Sequence, residues 1–179
     1  MDAAEFALNA RVLQMDAAAP FERLFHAEYG RVAAIANRVL ADPAAAEDVA
    51  QEVFVSFSRR HDAAAPWAAA WLHQAAAHAA LNALRGRSRR RRRDTAHATG
   101  IGPATTDPLE SAIEAERRAA ARAALARLPE RSATLLILRY SGLSYAEVSA
   151  ATGVGANQIG TLLRRAETAF RKEVGDALR

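Results

Sequence analysis

The sequence predicts an all-α protein: two small helical domains joined by a flexible linker, the second containing a helix-turn-helix. Three observations carry that prediction. Apolar residues make up 51% of the 179 positions, and much of that share is alanine, the strongest helix former. Runs of β-branched residues, which would favour strands, are scarce. Apolar positions recur at helical spacing in blocks on either side of one segment rich in Gly, Pro and Thr. Aromatics supply only 6%, so the cores rest on Leu, Val, Ile and a few Phe and Trp.

Residues 1–19 form an N-terminal extension. In it Phe6, Leu8, Val12 and Leu13 outline a short amphipathic helix that packs either on the body or on a regulator. A first domain, residues 20–93, opens with a helix from about Phe21 to Leu40 that buries Leu24, Phe25, Val32, Ile35 and Val39. Asp42 before Pro43 then reads as an N-cap with proline at the first helical position. In the helix that follows, Val49, Val53, Phe54 and Phe57 fall on one side. Asp48, Gln51, Glu52 and Val55 fall on the other, a mixed acidic surface. A third helix, about Trp67 to Arg85, carries Trp67, Trp71, Leu72, Leu81 and Leu84.

The stretch "DTAHATGIGPATTDP" lacks apolar periodicity and is the linker, residues 94–107. It ends where Asp107 caps, Pro108 starts and Glu110 completes a capping box, opening a second domain, residues 108–179. Within it lies "GLSYAEVSAATGVGANQIGTLLRRAETAF". Ser144 and Glu147 make an S-x-x-E capping box, with Leu143 and Val148 spaced as a hydrophobic staple. The short helix stops at Thr152-Gly153, and a second begins near Gly155 or Ala156, with Ile159, Leu162, Leu163, Ala166 and Phe170 inside. That is the helix-turn-helix pattern, although an ordinary helical hairpin fits the same spacing. On the outer face Asn157, Gln158 and Thr161 suit base edges, and Arg164 and Arg165 suit phosphate or guanine.

Charge is unevenly spread. Lys plus Arg number 24 against 20 Asp plus Glu, but "RGRSRRRRR", Arg85 to Arg93, concentrates the positive charge. Such a run suits phosphate neutralisation and equally suits a solvated segment. The absence of cysteine excludes disulfides and Cys-type zinc sites and fits a reducing cytosol. No apolar run approaches the ~20 residues of a membrane span, and the start lacks a basic stretch before an apolar block, so a soluble cytoplasmic protein is expected. The five histidines, His26, His61, His73, His78 and His97, form no ligand motif, and no glycine-rich loop follows a strand. An enzyme, a metal or a cofactor is not expected. The acidic helix is the anomaly, because phosphate repels Glu47, Asp48 and Glu52; on its own pattern it reads as a solvated face.

Two stretches resolve the anomaly by likeness. "LARLPERSATLLILRYSGLSYAEVSAATGV" resembles the promoter −35-binding domain of bacterial sigma factors. "LFHAEYGRVAAIANRVLADPAAAEDVAQEVF" is similar to their polymerase- and −10-binding domain. Their order and short spacing resemble the extracytoplasmic-function (ECF) group of the sigma-70 family. The resemblance implies that Asp48, Gln51, Glu52 and Val55 bind the β′ clamp helices of core RNA polymerase. It implies that the C-terminal domain binds the −35 duplex and the β-flap, and that an anti-sigma factor holds the chain inactive. It places the −10 contacts at His61, Asp62, Trp67, His78, Asn82, Arg85 and Arg87. Trp67 is a stacking platform or core, core being preferred for its helical spacing from Trp71. The family commonly has Arg-Asn where this chain has Ala77 and His78, and basic residues where it has Gly160 and Leu162, so neither element's target sequence carries over. The competing reading is a stand-alone helix-turn-helix regulator, which leaves the acidic helix without a role.

Overall fold

The computed structural model describes the backbone of residues 3–94 and 108–177, and the side chains of 19–90, 93 and 113–175. The described residues form seven helices in chain order: α1 (Ala3–Leu40), α2 (Pro43–Ser58), α3 (Ala68–Asp94), α4 (Pro108–Arg127), α5 (Glu130–Tyr140), α6 (Tyr145–Thr152) and α7 (Ala156–Ala177). Among the described residues there is no strand, and no helix is long and apolar enough to cross a membrane. The side chains of Phe6, Leu8, Val12, Leu13, Asp107 and Glu110 lie outside the described residues, as do residues 95–107 of the expected linker.

Two boundaries differ from expectation. The first helix does not start near Phe21; α1 runs unbroken from Ala3 with Pro20 inside it. Proline there removes one backbone donor and crowds the carbonyl four residues back, a cost that the alanines before it, as strong helix formers, offset only in part. The third helix does not end near Arg85 either. It continues through the arginine run to Asp94, because arginine is a good helix former.

Helices α1–α3 pack on one another, as do α4–α7. In the first group Val32, Ile35 and Val39 of α1 are buried with Val49, Val53, Phe54 and Phe57 of α2 and Leu72 and Leu81 of α3. The Phe54 ring seats against Phe25, centroids 5.0 Å apart, and edge-on against Phe21 at 6.3 Å. In the second group α5 is buried over six successive residues, Ala133 to Leu138. A helix is apolar all round only when it is covered all round. Here α7 and α6 cover α5 from its own group while α3 and α1 cover it from the other, so one apolar core runs through both halves.

Local chemistry fixes the ends. Asp42 caps α2 by accepting from the Ala45 backbone N–H at 3.1 Å. Ala41, just before it, is held at φ 49, a left-handed conformation forced by the tight α1–α2 corner. At the other tight corner Gly153 takes φ 68 with open space around its missing side chain. Gly153→Ala therefore costs backbone strain alone, about 1–2 kcal/mol, and thermal unfolding should show the loss with no change in helix content. A loss below a few tenths would mean that the corner relaxes.

Candidate nucleic-acid interface

Four exposed regions hold the side chains singled out by the sequence. The first is the outer face of α2. Its inner face is closed by Val49, Val53, Phe54 and Phe57, which turns Asp48, Gln51 and Glu52 to solvent. Val55 stands among them, 47% exposed. An uncovered valine among carboxylates is a surface with both apolar and charged recognition elements, the composition of a protein-binding rim.

The second region is the turn after α2. The Arg60 and His61 backbone N–H groups donate to the Phe57 carbonyl, and Asp62 accepts from the Ala64 N–H at 2.9 Å, which folds the turn onto itself. His61 packs edge-on against Trp71 and Trp67, centroids 4.6 and 5.4 Å away. Trp67 shares with Trp71 the side that meets Phe57 and His61, but it stands just before the first residue of α3, where that side is only half covered. The ring is 46% exposed and leans edge-on against Phe57, which corrects the preference for a core position. One flank of the indole is backed by the core and the other faces solvent.

The third region is the exposed side of α3 and its arginine extension. Asn82, Arg89 and Arg90 are exposed. Arg87 bonds Asp42 at 2.9 Å and fastens α3 to the start of α2. The Asp42 carboxyl is held below its usual pKa, first by the Ala45 backbone N–H and then by Arg87. His78 and Arg85 are only partly exposed, and both meet the second half of the molecule. The His78 Nε2 lies 3.7 Å from Glu130. Arg85 donates to the carbonyls of Ala126 at 3.1 Å and Leu128 at 2.8 Å, at the C-terminal end of α4. A guanidinium there satisfies orphan carbonyls and the negative end of the helix dipole.

The fourth region is the α6–turn–α7 unit. Ser144 and Glu147 form the full capping box: the Ser144 hydroxyl accepts from the Glu147 N–H, and Glu147 accepts from the Ser144 N–H at 2.7 Å. Leu143 and Val148 are fully buried, as a staple requires. The Ser149 hydroxyl donates to the Val154 carbonyl at 2.6 Å across the turn. Ile159, Leu163 and Ala166 hold α7 against the body. That leaves Asn157, Gln158, Thr161, Arg164 and Arg165 all exposed along one side of its N-terminal half. The five residues share one convex face on a rigid helix, the geometry needed to enter a major groove.

Glu147 is pulled down to a pKa of about 2, chiefly by the Ser144 backbone N–H, then by the Ser144 hydroxyl and by Arg31 of α1, 2.8 Å away. A lowered folded pKa contributes stability that is complete above the ordinary value near 4.5 and is lost as pH falls towards 2. With the side chain 39% exposed, solvent screening limits this to on the order of 1 kcal/mol or less. The melting temperature of Glu147→Gln should accordingly converge on that of the parent between pH 5 and pH 2. A constant gap across that range would remove the ionised carboxylate from the cap.

Sequence reasoning did not find a further polar pair. His73 is 3% exposed and bonds Glu28 at 2.7 Å between α3 and α1. Its only signal was a histidine and a glutamate on two buried faces, 45 positions apart. Among the described residues no group of three or more His, Asp or Glu is placed to hold a metal ion.

Residues 24–90 match the family model for Sigma-70 region 2, and residues 118–170 match that for Sigma-70, region 4. The first match takes in the α2 face, the turn and most of α3, and the second takes in α6, the turn after it and α7 as far as Phe170. No curated protein matches the chain.

Proposed function

Because this chain belongs to the sigma-70 family, as an ECF-like sigma factor that binds RNA polymerase and DNA, we propose that it directs core polymerase to a promoter and opens it. The observation that carries this reading is the pairing of two unlike exposed surfaces. One is the acidic, valine-centred α2 face, which repels nucleic acid and suits the β′ clamp helices. The other is the amide- and arginine-bearing face of α7, which suits duplex DNA at the −35 element.

Asp48, Gln51, Glu52 and Val55 hold the first half on the clamp. His61, Asp62 and Trp67 on the turn, with His78, Asn82, Arg85 and Arg87 on α3, receive the −10 strand as it separates. The half-exposed Trp67 ring offers a stacking surface, and the arginines neutralise phosphate. Asn157, Gln158, Thr161, Arg164 and Arg165 read the −35 duplex while the same half meets the β-flap. An anti-sigma factor restrains the chain in the cytoplasm. The chain performs no catalysis itself; nucleotide addition is the polymerase's. Its first domain spans residues 20–93 and its second 108–179, with residues 94–107 between them.

Run-off sequencing on genomic DNA with purified core polymerase tests the proposal. Discrete start sites should appear only when this protein is present, and gel shifts without core should show little specific binding. Strong specific operator binding by the protein alone, with no initiation when core is added, would leave a stand-alone helix-turn-helix regulator instead.

A further inference from the structure

A cavity of about 480 Å³ lies where the last turn of α1 meets α4, α5 and α7, and none of its side chains belongs to the four regions described above. Its walls are apolar: Val39, Leu125, Leu136, Ile137 and Phe170. Ala121 of α4 lines it too, with a side chain too short to reach across. Protein interiors leave few voids larger than a water molecule, so a space of this volume is more than a packing fault. It falls within the ~300–1,000 Å³ of small-molecule pockets, which are mostly apolar with a few polar groups that orient the ligand. A dry cavity of ~150 Å³ takes one benzene, so this one has room for a single acyl chain of roughly ten carbons.

The polar part of the lining is lopsided. Three arginines, Arg38, Arg122 and Arg171, accompany one acid, Glu167. That acid is already engaged: Glu167 accepts from the Tyr140 hydroxyl at 3.2 Å and lies 3.9 Å from Arg171. Arg38 belongs to no ion pair among the described residues. Arg38, Tyr140 and Arg171 are exposed, whereas Val39, Leu136 and Ile137 are buried, so the charge stands at the mouth and the apolar wall runs inward. A guanidinium matches a carboxylate through two parallel N–H bonds, which a positive rim above an apolar pit can offer to an anion with a hydrocarbon tail.

We infer that this cavity binds a free medium-chain carboxylate, its acyl chain laid between Leu125, Leu136 and Phe170 and its head group held at the rim by Arg38 and Arg171. A cation of the same length meets like charge there, and a neutral alcohol forgoes the ion pair. The site shares no residue with the polymerase and promoter surfaces and depends on neither.

Calorimetric titration of the full chain with decanoate should show saturable binding, accompanied by a rise in melting temperature. Octanoate, shorter by two methylenes, should bind roughly tenfold more weakly. Decyltrimethylammonium should bind at least roughly tenfold more weakly than decanoate. Arg38→Gln, a change at an exposed position, should weaken decanoate roughly tenfold and leave decanol unaffected. Ala121→Leu fills the space from α4 and should abolish decanoate binding while the melting temperature of the unliganded chain holds or rises. Neither heat nor thermal shift with decanoate, or equal affinity for decanoate and decyltrimethylammonium, would overturn the site. So would parental decanoate affinity in Arg38→Gln or in folded Ala121→Leu.

Discussion

Glu52→Lys is expected to weaken binding to core RNA polymerase roughly 100-fold while leaving thermal unfolding unchanged. Glu52 is exposed on α2, and among the described residues no ion pair or side-chain hydrogen bond uses its carboxylate. The packing of α2 rests on the opposite side, where Val49, Val53, Phe54 and Phe57 are each 7% exposed or less. A substitution outside that packing shifts stability by about 0.5 kcal/mol at most. At an interface the reversal does two things: it removes the carboxylate's attraction and places a positive charge where the partner had accepted a negative one. Together these cost about 2–3 kcal/mol, which corresponds to the stated loss. Titration of labelled protein with core polymerase measures it. The same reversal at Glu116, exposed on α4, controls for a general charge effect. Equal losses at both positions, or none at Glu52, would take the α2 face out of the interaction.

Phe57→Ala should be the most damaging single change to the fold, at about 3–5 kcal/mol. Phe57 is fully buried, and its ring meets Trp71 and His61 at 5.4 Å and Trp67 at 6.4 Å. Removing it opens a void beneath the turn and takes away the backing of Trp67. Because domains of this size are stable by only about 5–15 kcal/mol, the melting temperature should fall by roughly 10 °C or more. Urea unfolding gives the free energy directly, and a loss below about 1 kcal/mol would mean that neighbouring rings collapse into the space. Promoter opening should fall further than the unfolded fraction explains, since the exposed indole loses its fixed position even in folded molecules.

Both effects depend on features that the sequence displays unequally. The two faces of α2 are legible because a 3.6-residue period separates them within one helix, and the buried and exposed sets match the pattern residue by residue. The Asp42 cap, the Ser144–Glu147 box and the Gly153 corner are legible for the same reason, since each device acts over three or four positions. Trp67 shows where this fails. Spacing from Trp71 does put both rings against Phe57 and His61, but it does not say how far the cover over that side extends, and it runs out at the start of α3. The helical course of Arg85 to Asp94 was obscured because a charge run shows no apolar period, whether it is coiled or extended.

The sequence by itself determined α2, α6 and the start of α7, the caps of the first two and the residues these helices present outward, because hydrogen bonding and side-chain periodicity within a helix are local. Only the tertiary structure decided what covers them. The run Leu135 to Leu138 is apolar without a period because α5 is enclosed by helices of both halves, and no pattern within the run names those helices. Likewise Arg85, Arg31 and Glu28 find partners more than 40 positions away, on elements whose relative placement comes from packing. A charged side chain states what chemistry it seeks; which group supplies it depends on how two apolar surfaces fit.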